Sequence, residues 1–267
     1  MIVRSLPPHP LLQDWAQLYW QWESLPFDRP VQHQMLPESM VRITFTTGQN
    51  WTLKSEGPIA FPSASLAGML LQPQPMLAHG LNRTLGVDLY PWGARQLLNW
   101  QAGDEPLDLH LTYSKISLEV CGLLELSDWD GATQLVEDWL LSLLLSRAYG
   151  PGKAVQAALK LYETLGSVKI STLAEELFVS PRQMERQFAQ QVGITPKVLA
   201  RLIRFHESQQ RIQQDPLVNV AGLATDLGFF DQAHLIREYR LLAHSTPGNY
   251  AQMVLQRFRG TEGDLDN

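Results

Sequence analysis

The sequence predicts an α+β protein, in which a small antiparallel β-rich domain precedes an all-α domain with two helix-turn-helix units. Three observations point there. Residues 1–110 alternate apolar and polar side chains and are cut into short pieces by proline. From about Asp130 the apolar spacing becomes helical. Near the end, one helical pattern occurs twice at a period of about 50 residues.

The β-rich part comes first. In "MVRITFTTG", Met40 to Gly48, Val41, Ile43 and Phe45 alternate with Arg42, Thr44 and Thr46, the period of a half-buried strand. "NWTLK" and "RTLGVDLY" read the same way. Pro37, Pro58, Pro62, Pro73, Pro75 and Pro91 oppose long helices here. "LLQDWAQLYWQW" fits a short helix or a strand packed on the sheet.

"GATQLVEDWLLSLLLSR" then places Val136, Trp139, Leu140, Leu143 and Leu144 on one stripe, widened by Leu141 and Leu145. So apolar a helix needs cover, either in a core or at a dimer seam. The "GPG" at 150–152 marks a boundary. The chain therefore divides into 1–150, 151–259 and an acidic tail, 260–267, expected to be disordered.

A chain of 267 residues suits two domains. Its single cysteine, Cys121, excludes an internal disulfide framework and a Cys-rich metal site. "MIVRSLPPHPLLQDW" lacks the apolar core of a signal peptide, and "WLLSLLLSRAY" is too short to span a bilayer. A cytoplasmic protein without a membrane partner is expected. The net charge of −6 averages unlike parts. Residues 1–150 carry 8 Lys/Arg against 15 Asp/Glu, whereas 151–259 carry 13 against 9. A basic second half points to a polyanion.

The repeat explains that charge. "ISTLAEELFVSPRQMERQFAQQVGITPKVLARLIR" begins at Ile170 and "VAGLATDLGFFDQAHLIREYRLLAHSTPGNY" at Val220. Leu173-Ala174 aligns with Leu223-Ala224, Leu177 with Leu227, and Pro196 parallels Pro247. Each piece reads helix, turn, helix and a proline-bearing exit. In the first, Ser171 is placed as a cap, and Ser180 caps the second helix with Pro181 at its first position. Met184 and Phe188 face inward. Arg182, Gln183 and Arg186 project outward, and such side chains donate in pairs to guanine or adenine edges. In the second, Gly228 serves a turn needing positive φ, Phe229 plugs the gap between helices, and Asp231 suits the helix N-terminus. Leu235 and Tyr239 face the core, leaving Gln232, Ala233, His234, Ile236 and Arg237 outside.

These residues carry a resemblance. From about Val155 to Tyr250 the chain resembles the DNA-binding domain of AraC/XylS-type transcription regulators, through "LAEELFVSPRQMERQF…GITPKVLARLIR" and "LATDLGFFDQAHLIREYR…TP..Y". The resemblance implies two helix-turn-helix units joined by a long helix, here Pro196 to Gln213. It implies that each second helix enters the major groove, at sites roughly 34 Å apart. By position the base-reading residues are Arg182, Gln183 and Arg186, then Gln232, Ala233, His234 and Arg237. Lys169, Lys197, Arg201, Arg204 and Arg240 are candidates for phosphates. Three positions depart from the pattern: His244 stands where glycine is usual, Phe230 replaces a small or polar residue, and Leu235 stands where Phe is common.

The N-terminal part resembles, in outline, domains that precede such modules, through Trp15, Tyr19, Trp20, "LPESMVRITFTTG" and "LGVDLYPWGARQLL". By analogy it binds a small effector, dimerises, or both. Trp20, Trp22, Trp51 and Trp92 are the effector-pocket candidates, set against a plain core role for tryptophan. His33, His79 and His110 lack the close spacing of a metal site. Cys121 lies in apolar "LEVCGLLEL", which suits an inert thiol. No phosphate loop, nucleophile elbow or metal-spaced His pair points to an enzyme, and no cofactor is expected. The expected function is a DNA-binding transcriptional regulator. Its implied partners are double-stranded DNA, RNA polymerase, a small-molecule effector, and a second copy joined through 1–150. A helical adaptor that works through protein contacts, without reading DNA, is the alternative.

Overall fold

The computed structural model describes residues 2–101, 106–146 and 152–263. Along the chain the strands are β1 (Ile2–Leu6), β2 (Ala16–Glu23), β3 (Phe27–Met35), β4 (Val41–Thr46), β5 (Gln49–Lys54), β6 (Gly57–Ala60), β7 (Ala64–Ala67), β8 (Gln74–Gly80), β9 (Arg83–Leu89) and β10 (Leu107–Asp108). They form a six-stranded sheet in the order β1-β2-β9-β4-β7-β10 and a four-stranded sheet in the order β3-β8-β5-β6. The strand pairs in both sheets are antiparallel. The ambiguous "LLQDWAQLYWQW" becomes a 3-10 turn at Pro10–Leu12 followed by β2. Pairing with β9 settles it as strand: Tyr19 lies opposite Val87, and Trp20 opposite Gly86.

The alternation in β4 is used on both faces. Val41, Ile43 and Phe45 are fully buried in the apolar core with Leu85, Val87 and Leu89 of β9. The opposite face carries polar groups that satisfy one another. Thr44 Oγ1 is 2.6 Å from Ser65 Oγ, and Thr46 Oγ1 is 2.8 Å from Thr84 Oγ1. Arg42 donates to Asp88 at 2.7 Å and pairs with Glu38, with its guanidinium over the Trp20 ring. Burial alone would lower the pKa of Arg42, but the two carboxylates outweigh it and hold the side chain charged.

Ten helices follow or interrupt the strands among the described residues: α1 (Pro91–Leu98), α2 (Ser114–Glu125), α3 (Trp129–Leu145), α4 (Lys153–Glu163), α5 (Ile170–Glu176), α6 (Pro181–Gln191), α7 (Pro196–Gln214), α8 (Val220–Asp226), α9 (Gln232–Ala243) and α10 (Pro247–Gly263). The apolar stripe expected of α3 is a core stripe along its middle, where Ala132, Val136 and Leu140 are fully buried. Gln21 donates to Thr133, which ties α3 to β2. Leu145, at the end of the stripe, is left exposed. Gly150 and Pro151 of the expected boundary lie outside the described residues, as do residues 264–267 of the acidic tail. The tail's first residues, to Gly263, continue α10.

The β-rich part and the helices are joined by packing. Trp92 of α1 is 1% exposed, in one apolar cluster with Ala154, Val155 and Leu161 of α4 and Met184 and Phe188 of α6. Its ring stacks on Tyr90 at 4.6 Å and meets the edge of Tyr162 at 5.9 Å. Trp92 Nε1 donates to the Asp14 carbonyl at 2.6 Å, and Tyr162 Oη donates to the Ser39 carbonyl at 2.7 Å. Burial raises the pKa of Tyr162 and keeps that donor protonated.

Candidate nucleic-acid interface

In the first unit, α5 and α6 meet at a turn where Phe178 holds φ 52°. The first helix is capped by Lys169, whose side chain makes no capping bond, so Ser171 lies inside α5 and is not its cap. The second helix starts as the sequence indicates. Ser180 accepts from the Gln183 backbone at 3.2 Å, and the Gln183 side chain accepts from the Ser180 backbone at 2.9 Å. This reciprocal pair satisfies two otherwise unpaired donors. Met184 and Phe188 are fully buried. Arg182, Glu185 and Arg186 stand exposed on the outer face, and among the described residues Arg182 and Arg186 make no ion pair.

The second unit repeats this with one residue added. Leu173 and Ala174 are matched 50 positions later by Leu223 and Ala224, while Met184 and Phe188 are matched 51 positions later by Leu235 and Tyr239. The insertion falls in the turn, before the cap. Asp231 is that cap and accepts from the His234 backbone at 2.6 Å. Counting from the two caps, Arg182 corresponds to Ala233, Gln183 to His234, Glu185 to Ile236, and Arg186 to Arg237. The third-position side chain again turns back: His234 Nδ1 accepts from the Phe230 backbone at 3.3 Å. Gln183 and His234 therefore hold the starts of their helices. Arg237 is 65% exposed, with its guanidinium 4.0 Å from Asp231.

Helix α7, about 28 Å long at 1.5 Å per residue, fixes the two units to each other. Arg201 forms an ion pair with Glu238 on α9. Arg204 donates to the Gly166 carbonyl at 2.6 Å and lies over the Phe229 ring at 5.4 Å; burial lowers its pKa. These two arginines are partly buried, with partners inside the protein, and do not join an outer phosphate-facing set. Lys169, Lys197 and Arg240 are exposed. Tyr239 packs against Phe205 and accepts from Ser208 at 3.1 Å, and Gln213 donates to Tyr250 at 2.6 Å.

His244, at the left-handed C-terminal position of α9, has φ 49° and ψ 30°. Gly193 holds the matching place after α6 at φ 92°. The helix end keeps its shape with a non-glycine residue, at a cost of about 1 kcal/mol. His244→Gly is expected to stabilise the protein by up to about 1 kcal/mol, less what glycine adds to unfolded-chain entropy. Thermal unfolding would register this as a small rise in Tm, and a clear fall would count against the strain.

The four tryptophans named as pocket candidates do not surround one cavity. Trp92 is packed in the first unit's core, and Trp20 lies against Gly86 with its Nε1 donating to Asp88 at 3.1 Å. Trp22 is on β2 and Trp51 on β5, in different sheets. A cleft of about 630 Å³ opens elsewhere, lined by Thr52, Lys54, Met69, Gln74 and Trp100 of the β-rich part and by Ile194 between α6 and α7. Burial raises the pKa of the half-buried Cys121 thiol, which favours its protonated form. Among the described residues, no helix is long and apolar enough to cross a membrane.

A family model described as a helix-turn-helix domain matches residues 173–253. A second, described as a domain of unknown function, matches residues 4–105. No curated protein matches. Among solved structures, the chain is similar to ToxT from Vibrio cholerae O395, at 12% identity over 88% of this chain and 96% of that one, with a TM-score of 0.49. An unsaturated fatty acid-bound ToxT from V. cholerae strain SCE256 gives 12% identity over 86% and 93%, with a TM-score of 0.42. A transcriptional regulator with an AraC-type DNA-binding domain from Chromobacterium violaceum gives 24% identity over 39% and 93%, with a TM-score of 0.35.

Proposed function

We propose that the chain is an AraC-type helix-turn-helix regulator, which reads two adjacent major-groove segments of duplex DNA as a sequence-specific transcriptional regulator; the helix-turn-helix model matched over residues 173–253 supports this reading. The observation that carries this is the equivalence of Arg186 and Arg237. Both are exposed, and each stands six positions after the cap of its unit's second helix. Arg182 and Gln232 extend the two reading faces, and Lys169, Lys197 and Arg240 are the phosphate contacts. DNA binding is assigned to 151–259.

The affinity of the whole chain for a selected operator, followed against salt, tests the reading. Three phosphate contacts alone give a slope of log K against log salt of about −3, and each further contact adds about −0.9. A flat response with no preferred sequence would favour the adaptor that acts through protein contacts.

Residues 1–150 are proposed to sense a small-molecule effector and to dimerise, and the protein is proposed to be a non-enzymatic regulator that meets RNA polymerase in the cytoplasm. The cleft beside Trp100 and Ile194 supports the effector role, because it joins the β-rich part to the turn that ends the first unit. Exposed Leu118 on α2, Leu126 just after it and Leu145 on α3 support a self-association surface.

A further inference from the structure

The two second helices share a register but not a chemistry. At the second, fifth and sixth positions after the cap, the first unit presents Arg182, Glu185 and Arg186, and the second presents Ala233, Ile236 and Arg237. The first set offers two guanidinium forks and a carboxylate, which match guanine and cytosine edges. The second offers a methyl group, a partly buried branched aliphatic chain and one fork. The turn insertion adds to that apolar character. Phe230 immediately precedes the cap Asp231 and is 91% exposed.

The position of Phe230 matters because a recognition helix meets bases with its N-terminal residues. The His234 ring accepts from the Phe230 backbone, so the segment before the cap is tied to the helix it precedes. Apolar side chains in a major groove find one matching group, the thymine 5-methyl, which distinguishes A·T from every other pair there. Phe230, Ala233 and Ile236 lie along the face that holds Arg237, so their surface continues the proposed DNA-reading surface.

We propose that the second unit is a thymine reader, in which Phe230, Ala233 and Ile236 take thymine 5-methyl groups beside a guanine held by Arg237. The first unit reads its segment by hydrogen bonds from Arg182, Glu185 and Arg186. The two halves of the operator are thus chemically unlike, and the protein has one orientation on it. This inference rests on the DNA-reading function proposed above.

The test uses the full chain and an operator selected from random duplexes. Thymines in one half are replaced by deoxyuridine, which removes only the 5-methyl group. In the second unit's half, each contacted methyl removed is expected to weaken binding about fourfold, and the same change in the first unit's half less than twofold. Phe230→Ala should weaken binding to the thymine duplex and respond less to deoxyuridine, with an unchanged Tm because the side chain is exposed. Tight, salt-dependent binding that ignores deoxyuridine in both halves would overturn the thymine reading and leave DNA reading intact. A methyl response that Phe230→Ala does not alter would remove Phe230 from the contact and overturn the proposal as stated. Loss of sequence-selective binding to any duplex would overturn both.

Discussion

Trp92→Ala is expected to destabilise the protein by about 3–5 kcal/mol, the range for emptying a buried tryptophan site. The residue belongs in sequence to the helix that follows the β-rich sheet, yet it is buried in one apolar cluster with α4 and the first helix-turn-helix unit. Ala154, Ala157, Leu161, Leu173, Met184 and Phe188 share its cluster. Removing the indole also leaves the Asp14 carbonyl without its donor and Tyr90 without its stacking partner. Denaturant unfolding would measure the loss. Trp92→Phe should recover much of it, because the phenyl ring keeps most of the buried area. A change below about 1 kcal/mol for the alanine variant would show that the first unit does not depend on the β-rich part.

Arg186→Ala and Arg237→Ala are each expected to weaken operator binding by about 1–3 kcal/mol, or roughly 5- to 150-fold. Both side chains are exposed, so neither substitution should lower Tm. Each acts in its own unit, so the two losses should add in the double variant. Arg201→Ala acts by another route. It removes the ion pair that holds Glu238 of α9 to α7, leaving that carboxylate only His234 at 3.8 Å, and alters how the second reading helix is held.

Much of this was legible in the sequence because it depends on local spacing. The alternation in β4, the cap Ser180 with Pro181, the cap Asp231 and the twice-repeated helical pattern are all short-range signals. The roles of Gln183 and His234 were half legible. Ser180-x-x-Gln183 has the spacing of a reciprocal cap, but the outward projection of Gln183 suggested a base reader. The one-residue insertion before Asp231 was present in the caps themselves, and counting from them would have aligned Arg186 with Arg237. Arg201, Arg204 and Trp92 were not legible. Their partners Glu238, Gly166 and Asp14 lie 37, 38 and 78 positions away, and no local pattern announces a tertiary contact. Lys169 rather than Ser171 caps α5 because helix ends are set by backbone geometry, which shifts boundaries by one or two residues.

Chemical protection of guanine N7 along the selected operator tests the central claim most directly, since N7 opens only to the major groove. Two protected guanines about one helical turn apart are expected, with Arg186→Ala exposing one and Arg237→Ala exposing the other. If both variants expose the same guanine, or leave the pattern of the unaltered protein intact, the two units do not read separate grooves.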